Sequence, residues 1–180
     1  MKQDPALPHP MVVIVMGVSG SGKTTAAKLL AAELGWEFRE GDDLHPPANV
    51  ERMRTGIPLI DEDRWPWLHR IAAVVDDWLE RGVSGVLTCS ALKRSYRDMI
   101  IGPRPNIRLV HIQGGASLLS PRLASRQGHY MPSSLLASQF ATLEPPGEDE
   151  HPITLSADQP PERIVAAIIQ ALAQGDGARG

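Results

Sequence analysis

Residues Gly17-Val18-Ser19-Gly20-Ser21-Gly22-Lys23-Thr24 have the spacing G-x-x-x-x-G-K-S/T. The residue types dictate a chemistry. The glycines let the backbone curl until successive N–H groups converge on one point, making an anion nest at the start of a helix. A lysine in the seventh place reaches the β- and γ-phosphates of a nucleoside triphosphate, and the hydroxyl in the eighth is a ligand for Mg²⁺. Gly17, Val18, Ser19, Gly20, Ser21, Gly22, Lys23, Thr24 and the adjoining Thr25 are therefore assigned to ATP, and Thr24 also to Mg²⁺.

A second cluster, Glu40-Gly41-Asp42-Asp43-Leu44-His45-Pro46, follows the next apolar run. Phosphoryl transfer needs positioning and charge neutralisation, with one carboxylate to orient the attacking hydroxyl and take its proton. Asp42 is assigned that role, and Glu40, Asp42 or Asp43 could hold Mg²⁺ through water. The alternative for these aspartates is a turn that caps the following helix. Arg52, Arg54 and Arg64 are candidates to grip an anionic acceptor, because guanidinium pairs with carboxylate in a bidentate fashion. Asp61 and Asp63 either bind acceptor hydroxyls or cap a helix. Lys93 and Arg97, then Arg122 and Arg126, are spaced i, i+4 and would share helix faces. The latter pair suits an arm that closes over ATP and neutralises the transferring phosphoryl group. The catalytic set is Lys23, Asp42, Lys93, Arg122 and Arg126.

These residues need a frame. Met11–Met16 is continuous and β-branched, as expected of a strand buried on both faces of a parallel sheet. Further strands are expected at Trp36–Arg39, Val86–Cys89, Ile107–Gln113 and Ile153–Leu155. Helical periodicity spans Lys23–Leu34, Arg64–Arg81 with Asp63 as N-cap, Ser90 to about Ile100, Ser117–Gln127 despite Pro121, and Pro161–Ala173. Strands alternating with helices imply right-handed crossovers and a doubly wound parallel sheet. The long intervals 41–85 and 114–151 exceed a minimal unit and lie at strand ends, where such sheets bind ligands.

The 180 residues suit a single α/β domain over 11–174, with tails at 1–10 and 175–180, an acceptor-binding region at 41–84 and a lid segment at 115–150. The net charge of −3 and the dispersed basic residues argue against nucleic acid as partner. No apolar stretch matches a membrane span, the proline-rich start has no signal-like core, and Cys89 is the only cysteine. A cytoplasmic protein with no membrane partner is expected. No strand ends in the aspartate of a GTP switch, and there is no N/T-K-x-D element. Both absences favour a kinase acting on a small molecule.

In consistent order, the chain carries Gly41-Asp42-Asp43-Leu44-His45-Pro46, Asn49, Met53, Gly56, Pro58-Leu59, Asp61, Asp63-Arg64 and Pro66-Trp67-Leu68. There follow Cys89-Ser90-Ala91-Leu92-Lys93, Tyr96-Arg97-Asp98, Arg122-Leu123, Arg126, Gly128-His129, Gln139-Phe140 and Thr142-Leu143-Glu144-Pro145-Pro146. This set, from about Val12 to Ile169, resembles the P-loop gluconate kinases, relatives of shikimate and nucleoside-monophosphate kinases. The resemblance implies the P-loop NTPase fold with a five-stranded parallel sheet in order 2-3-1-4-5, ATP- and Mg²⁺-dependent phosphorylation of gluconate at its 6-hydroxyl, and a homodimer. It implies an acceptor site drawn from Asp42, His45, Arg52, Arg54, Asp61, Arg64, Lys93, Arg97 and His129, with the lid around 122–131. Glu40 stands where shikimate kinases carry aspartate, which leaves the division of labour between Glu40 and Asp42 open. The alternatives are another small-acid kinase, such as a shikimate kinase, and a nucleotide-binding regulator without turnover.

Overall fold

The structure is a computed structural model that describes residues 7–125 and 134–175. Its centre is the first apolar run. Strand β1 (Val12–Met16) is fully buried along its length, with β3 (Gly85–Thr88) paired on one side and β4 (Ile107–Gln113) on the other. Strand β2 (Glu37–Glu40) extends the sheet beyond β3, and β5 (Ile153–Ser156) extends it beyond β4. All pairings are parallel and the order is 2-3-1-4-5. Every carboxyl end therefore falls on one edge of the sheet, and the connections after β1 and after β3 lead to strands on opposite sides of β1.

Helix α1 (Lys23–Leu34) starts at Gly22 and stops at Gly35, both in the left-handed region, and Gly35 N–H closes the last turn on Ala31 and Ala32. It buries Ala26, Ala27, Leu30, Ala31 and Leu34 against the sheet. Helix α7 (Pro161–Gln174) buries Ile164, Val165, Ile168 and Leu172. The two long intervals contain helices that their periodicity does not announce: α2 (Pro47–Arg54) and α6 (Leu135–Thr142). Met53 of α2 and Leu135 of α6 form a separate small apolar cluster with Leu59.

Several expectations are corrected. Helix α3 (Asp61–Glu80) begins three residues before Arg64, with Ile60 as N-cap. Asp63 acts from inside the helix instead, its carboxylate accepting the Ile60 N–H at 3.1 Å. Helix α4 (Arg94–Ile100) does not start at Ser90. Ala91 adopts a left-handed φ of 46° and breaks the path, so Lys93 is the N-cap and shares no helix face with Arg97. Helix α5 (Ala116–Ala124) starts one residue before Ser117, accommodates Pro121 and has Ser125 as its C-cap; Arg126 and Gln127 of the expected span lie outside the described residues. Strands β2 and β3 are each displaced by one residue from the expected spans. Residues 7–10 are not frayed: Leu7 packs on the core, and His9 shares a 2.9 Å hydrogen bond with the Ser84 hydroxyl, which also accepts the Met11 N–H.

One junction permits no side chain. Gly41, at the end of β2, donates its N–H to Thr88 Oγ1 at 3.1 Å and accepts from Trp67 Nε1 at 2.8 Å. A Cβ at Gly41 would lie 1.9 Å from the Thr88 carbonyl oxygen. Because the obstacle is backbone, relief requires moving a strand. Gly41→Ala is expected to cost about 2–4 kcal/mol in denaturant unfolding. Gly115→Ala, where the nearest atom is Ser117 Oγ at 4.0 Å, is the control and should cost no more than the roughly 1 kcal/mol of placing alanine at the N-cap of α5.

Candidate active site

The turn between β1 and α1 is shaped by its glycines. Gly20 and Gly22 hold φ of 82° and 92°, which L side chains adopt only under strain. Ser21 Oγ is buried with no hydrogen-bond partner among the described residues, and Lys23 Nζ lies back on the Val18 carbonyl at 3.1 Å. A buried hydroxyl without a partner is costly in a finished core and fits a cradle that takes an oxyanion. Helix α5 braces the turn from outside, since a Cβ on Gly20 would lie 3.3 Å from the Leu119 carbonyl.

Glu40 joins this turn to the sheet. Its carboxylate accepts from Thr24 Oγ1 and from Thr88 Oγ1, each at 2.6 Å. The last residue of β2, the last of β3 and the hydroxyl at the head of α1 thus converge on one acidic group. Among the described residues no three His, Cys, Asp or Glu side chains form a metal cluster. A Mg²⁺ site built on substrate phosphates and water needs fewer protein ligands than that.

Beside the loop lies a pocket lined by Asp42, His45, Met53, Pro58, Leu59, Arg64, Trp67, Ser90, Leu92 and three residues of α6: Leu135, Ser138 and Gln139. Asp42 enters from the one-turn 3-10 helix Gly41–Leu44, which hangs from β2. His45 stacks on Trp67 with ring centroids 4.0 Å apart. Burial, with the Arg64 charge, lowers the His45 pKa to about 3, so the ring is neutral. Asn49 Nδ2 donates to the Asp63 carbonyl at 2.8 Å, which fixes its amide orientation. The same nitrogen sits 3.3 Å from His45 Nδ1, so Nδ1 accepts and the ring proton resides on Nε2. Arg64 is 8% exposed; its guanidinium lies over the Tyr96 ring and reaches the Leu59 carbonyl at 3.3 Å. Its Nε is buried without a hydrogen-bond partner among the described residues. A guanidinium with a donor left over has the chemistry to pair with a carboxylate.

Other predicted residues lie apart from this pocket. Asp61 and Lys93 pair at 3.0 Å, and Tyr96 donates its hydroxyl to the same carboxylate. Those two partners hold the Asp61 carboxyl below the usual range. Asp61, Lys93 and Tyr96 line a neighbouring shallow cavity. Arg97 is fully buried, with Nε and Nη2 on Glu150 and Nη1 on the carbonyls of Ala91 and Leu92. Its donors fasten the 144–150 segment to α4 and are not offered to a ligand. Arg54 is an exposed partner of Glu51, and Arg52 an exposed partner of Asp63. Arg122 Nη1 donates to the Ala157 carbonyl at 3.0 Å. Arg126 and His129 lie outside the described residues. Cys89 is buried at the end of β3, its thiol pushed up to about 12 by burial, so no thiolate nucleophile exists here at neutral pH.

Three contributors carried no assigned role in the sequence: Trp67, Tyr96 and Gln139. The first two are apolar-face helix positions whose polar tips find partners only across the fold. Gln139 Oε1 accepts the Ser19 N–H at 2.7 Å across 120 residues of sequence. No local pattern announces that contact.

Comparisons with known proteins agree with this geometry. A family model described as an AAA domain matches residues 12–146. The chain is 53% identical to a gluconokinase of Gluconobacter oxydans (strain 621H) over 165 residues, covering 89% of this chain and 90% of that one. The chain belongs to the gluconokinase family. Among solved structures, a gluconokinase from Sinorhizobium meliloti 1021 aligns with a TM-score of 0.79 at 43% identity, covering 92% of this chain and 93% of that one. A sugar kinase from Janibacter sp. HTCC2649 aligns at 0.84 with 49% identity, covering 93% and 95%. This gluconokinase-family chain thus has the sheet order and phosphate loop that its sequence implies. No helix among its described residues is long and apolar enough to cross a membrane.

The neutral His45 sets a pH dependence. The unfolded chain protonates this ring near 6.5, and the folded chain only near 3. Between those values the unfolded state binds more protons, so stability is fully present above 6.5 and declines as pH falls toward 3. His111, also lowered by burial, contributes in the same direction. Unfolding midpoints measured from pH 7.5 to 4 should show His45→Gln less stable at pH 7.5. The variant should also have a shallower acid decline than the parent, smaller by on the order of 1–3 kcal/mol.

Proposed function

We propose that this protein transfers the γ-phosphoryl group of ATP to the 6-hydroxyl of D-gluconate. The observation that carries the reading is a pocket, adjoining the phosphate loop through Gln139, that sets a carboxylate, a neutral imidazole and a buried guanidinium, whose Nε has no hydrogen-bond partner among the described residues, around one space. A sugar acid has a carboxylate for the guanidinium and hydroxyls for the other two. Membership of the gluconokinase family supports the choice of acid.

In this reading Arg64 holds the substrate carboxylate, and His45 Nε2–H donates to a hydroxyl along the chain. Asp42 orients the 6-hydroxyl and accepts its proton as oxygen bonds to phosphorus and the bond to ADP breaks. Lys23 leaves the Val18 carbonyl to neutralise the β- and γ-oxygens, and the loop amides from Gly20 to Thr24 hold them in place. Thr24 would ligate Mg²⁺ directly and Glu40 through water. The ion, when bound, would supply positive charge to offset the charge on the transferring phosphoryl group. Glu40 is the better candidate for the metal shell because it already touches the Thr24 hydroxyl, which leaves Asp42 for the acceptor. Arg122, on the segment 115–150, is assigned to the nucleotide, exchanging the Ala157 carbonyl for phosphate. Lys93 and Asp61 support Arg64 from behind, through Tyr96.

ADP release is to be measured with Mg·ATP against gluconate, shikimate, glucose and nucleoside monophosphates. Turnover is expected with gluconate alone; turnover on shikimate only, or on none, overturns the acceptor assignment. Asp42→Asn should lower kcat about 10²–10³-fold with little change in ATP affinity. Arg64→Met should raise the gluconate KM at least about tenfold and leave the ATP KM within about threefold. An unchanged kcat in the Asp42 variant removes it from proton transfer.

A further inference from the structure

Gln139 occupies an unusual place. It is 8% exposed, lies on a short helix far in sequence from the phosphate loop, and lines the acceptor pocket with Asp42, His45 and Arg64. Its Oε1 accepts the N–H of Ser19, the third residue of the loop, at 2.7 Å. Ser19 stands at the entry of the loop, immediately before Gly20 turns the chain into the left-handed region. Helix α6 is also tied to the acceptor side independently, because Leu135 packs on Met53 of α2 and on Leu59. One short helix therefore touches the acceptor-binding insertion with its first turn and the phosphate loop with its second.

We propose that Gln139 is a positioning residue that sets the register between the acceptor pocket and the phosphate loop, so that the acceptor hydroxyl meets the γ-phosphorus in line. The inference rests on the phosphotransferase reading above and extends it to a residue of α6 that has no assigned chemical role in that reading. Reacting atoms must approach within a few tenths of an ångström of their productive separation. A buried tie between the two half-sites is therefore worth far more in turnover than in stability. The choice of glutamine is itself informative. An amide oxygen accepts the Ser19 N–H without adding charge, whereas a carboxylate there would set a negative group beside a nest that receives phosphates. The side chain carries an acceptor atom, an NH2 donor and neutrality; both substitutions below remove the donor, so an effect they share belongs to that donor, while the acceptor is lost only in Met and a charge is added only in Glu.

Gln139→Met keeps length and loses the acceptor atom; Gln139→Glu keeps the acceptor and adds charge. The Met variant is expected to lose about tenfold or more in kcat and to raise the gluconate KM several-fold. Its ATP affinity, measured by direct binding, should stay within about threefold and its melting temperature within a few degrees. The Glu variant is expected to show the opposite split, with ATP affinity weakened about tenfold and gluconate KM nearly unchanged. Hydrogen exchange at the Ser19 amide reads the tie without any acceptor present: protected in the parent and in Glu, fast in Met. Equal losses of both substrates accompanied by a fall in melting temperature, or parent-like kinetics in the Met variant, would overturn the proposal. So would a Ser19 amide that stays protected in the Met variant. If the parent turns over a different acid, the acceptor reading fails instead, and the same opposite split is required with that acid.

Discussion

Two hydroxyls and one carboxylate hold the working edge of this protein together. Glu40 ends β2, Thr88 ends β3, and Thr24 begins the first helix; the Glu40 carboxylate takes a hydrogen from each hydroxyl. Remove that meeting point and the sheet still forms, because β1 is buried on both faces and needs no polar help. What is lost is registration. Gly41 follows directly and passes so close to the Thr88 carbonyl that no side chain fits, and Trp67 clamps it from the other side. Asp42 and His45 hang from that clamp. The position of the Asp42 carboxylate relative to the phosphate loop is therefore decided by strand ends and not by flexible loop geometry.

Around this frame the site stores unfavourable electrostatics that a substrate would relieve. Among the described residues, Arg64 Nε and Ser21 Oγ are buried without a hydrogen-bond partner. Each costs folding free energy on its own, and each is complementary to one part of a phosphorylated or carboxylated ligand. His45, stacked on Trp67 and kept neutral by burial, is a hydrogen-bonding group that carries no charge at neutral pH. The charges that are satisfied internally, such as Arg97 on Glu150 and Arg94 on Asp149, instead fasten the 144–150 segment to α4.

Sequence alone reveals the sheet, its order by resemblance, and the loop, because these rest on local periodicity and a fixed motif. Where the reading goes astray, a contact distant in sequence has overridden local pattern. Ser90 is a sound helix cap by type, yet Ala91 turns left-handed and the helix waits for Arg94. Lys93 and Arg97 have the spacing of a shared face, yet one caps the helix outside it while the other is buried on Glu150. Nothing local distinguishes Arg64 from Arg52 and Arg54; burial does, and burial depends on how α3 packs beneath the pocket. Gln139 is legible only once α6 is seen to bridge the two half-sites.

The claim on which this account stands is that acceptor orientation is set by Arg64 at one end and Asp42 at the other. A crystal structure with gluconate, Mg²⁺ and a non-hydrolysable ATP analogue tests it most directly. The account predicts the substrate carboxylate on Arg64 Nε and the 6-hydroxyl within hydrogen-bond distance of Asp42, facing the terminal phosphate. A carboxylate held by Lys93 or Arg52, or a 6-hydroxyl resting on Glu40, would contradict it.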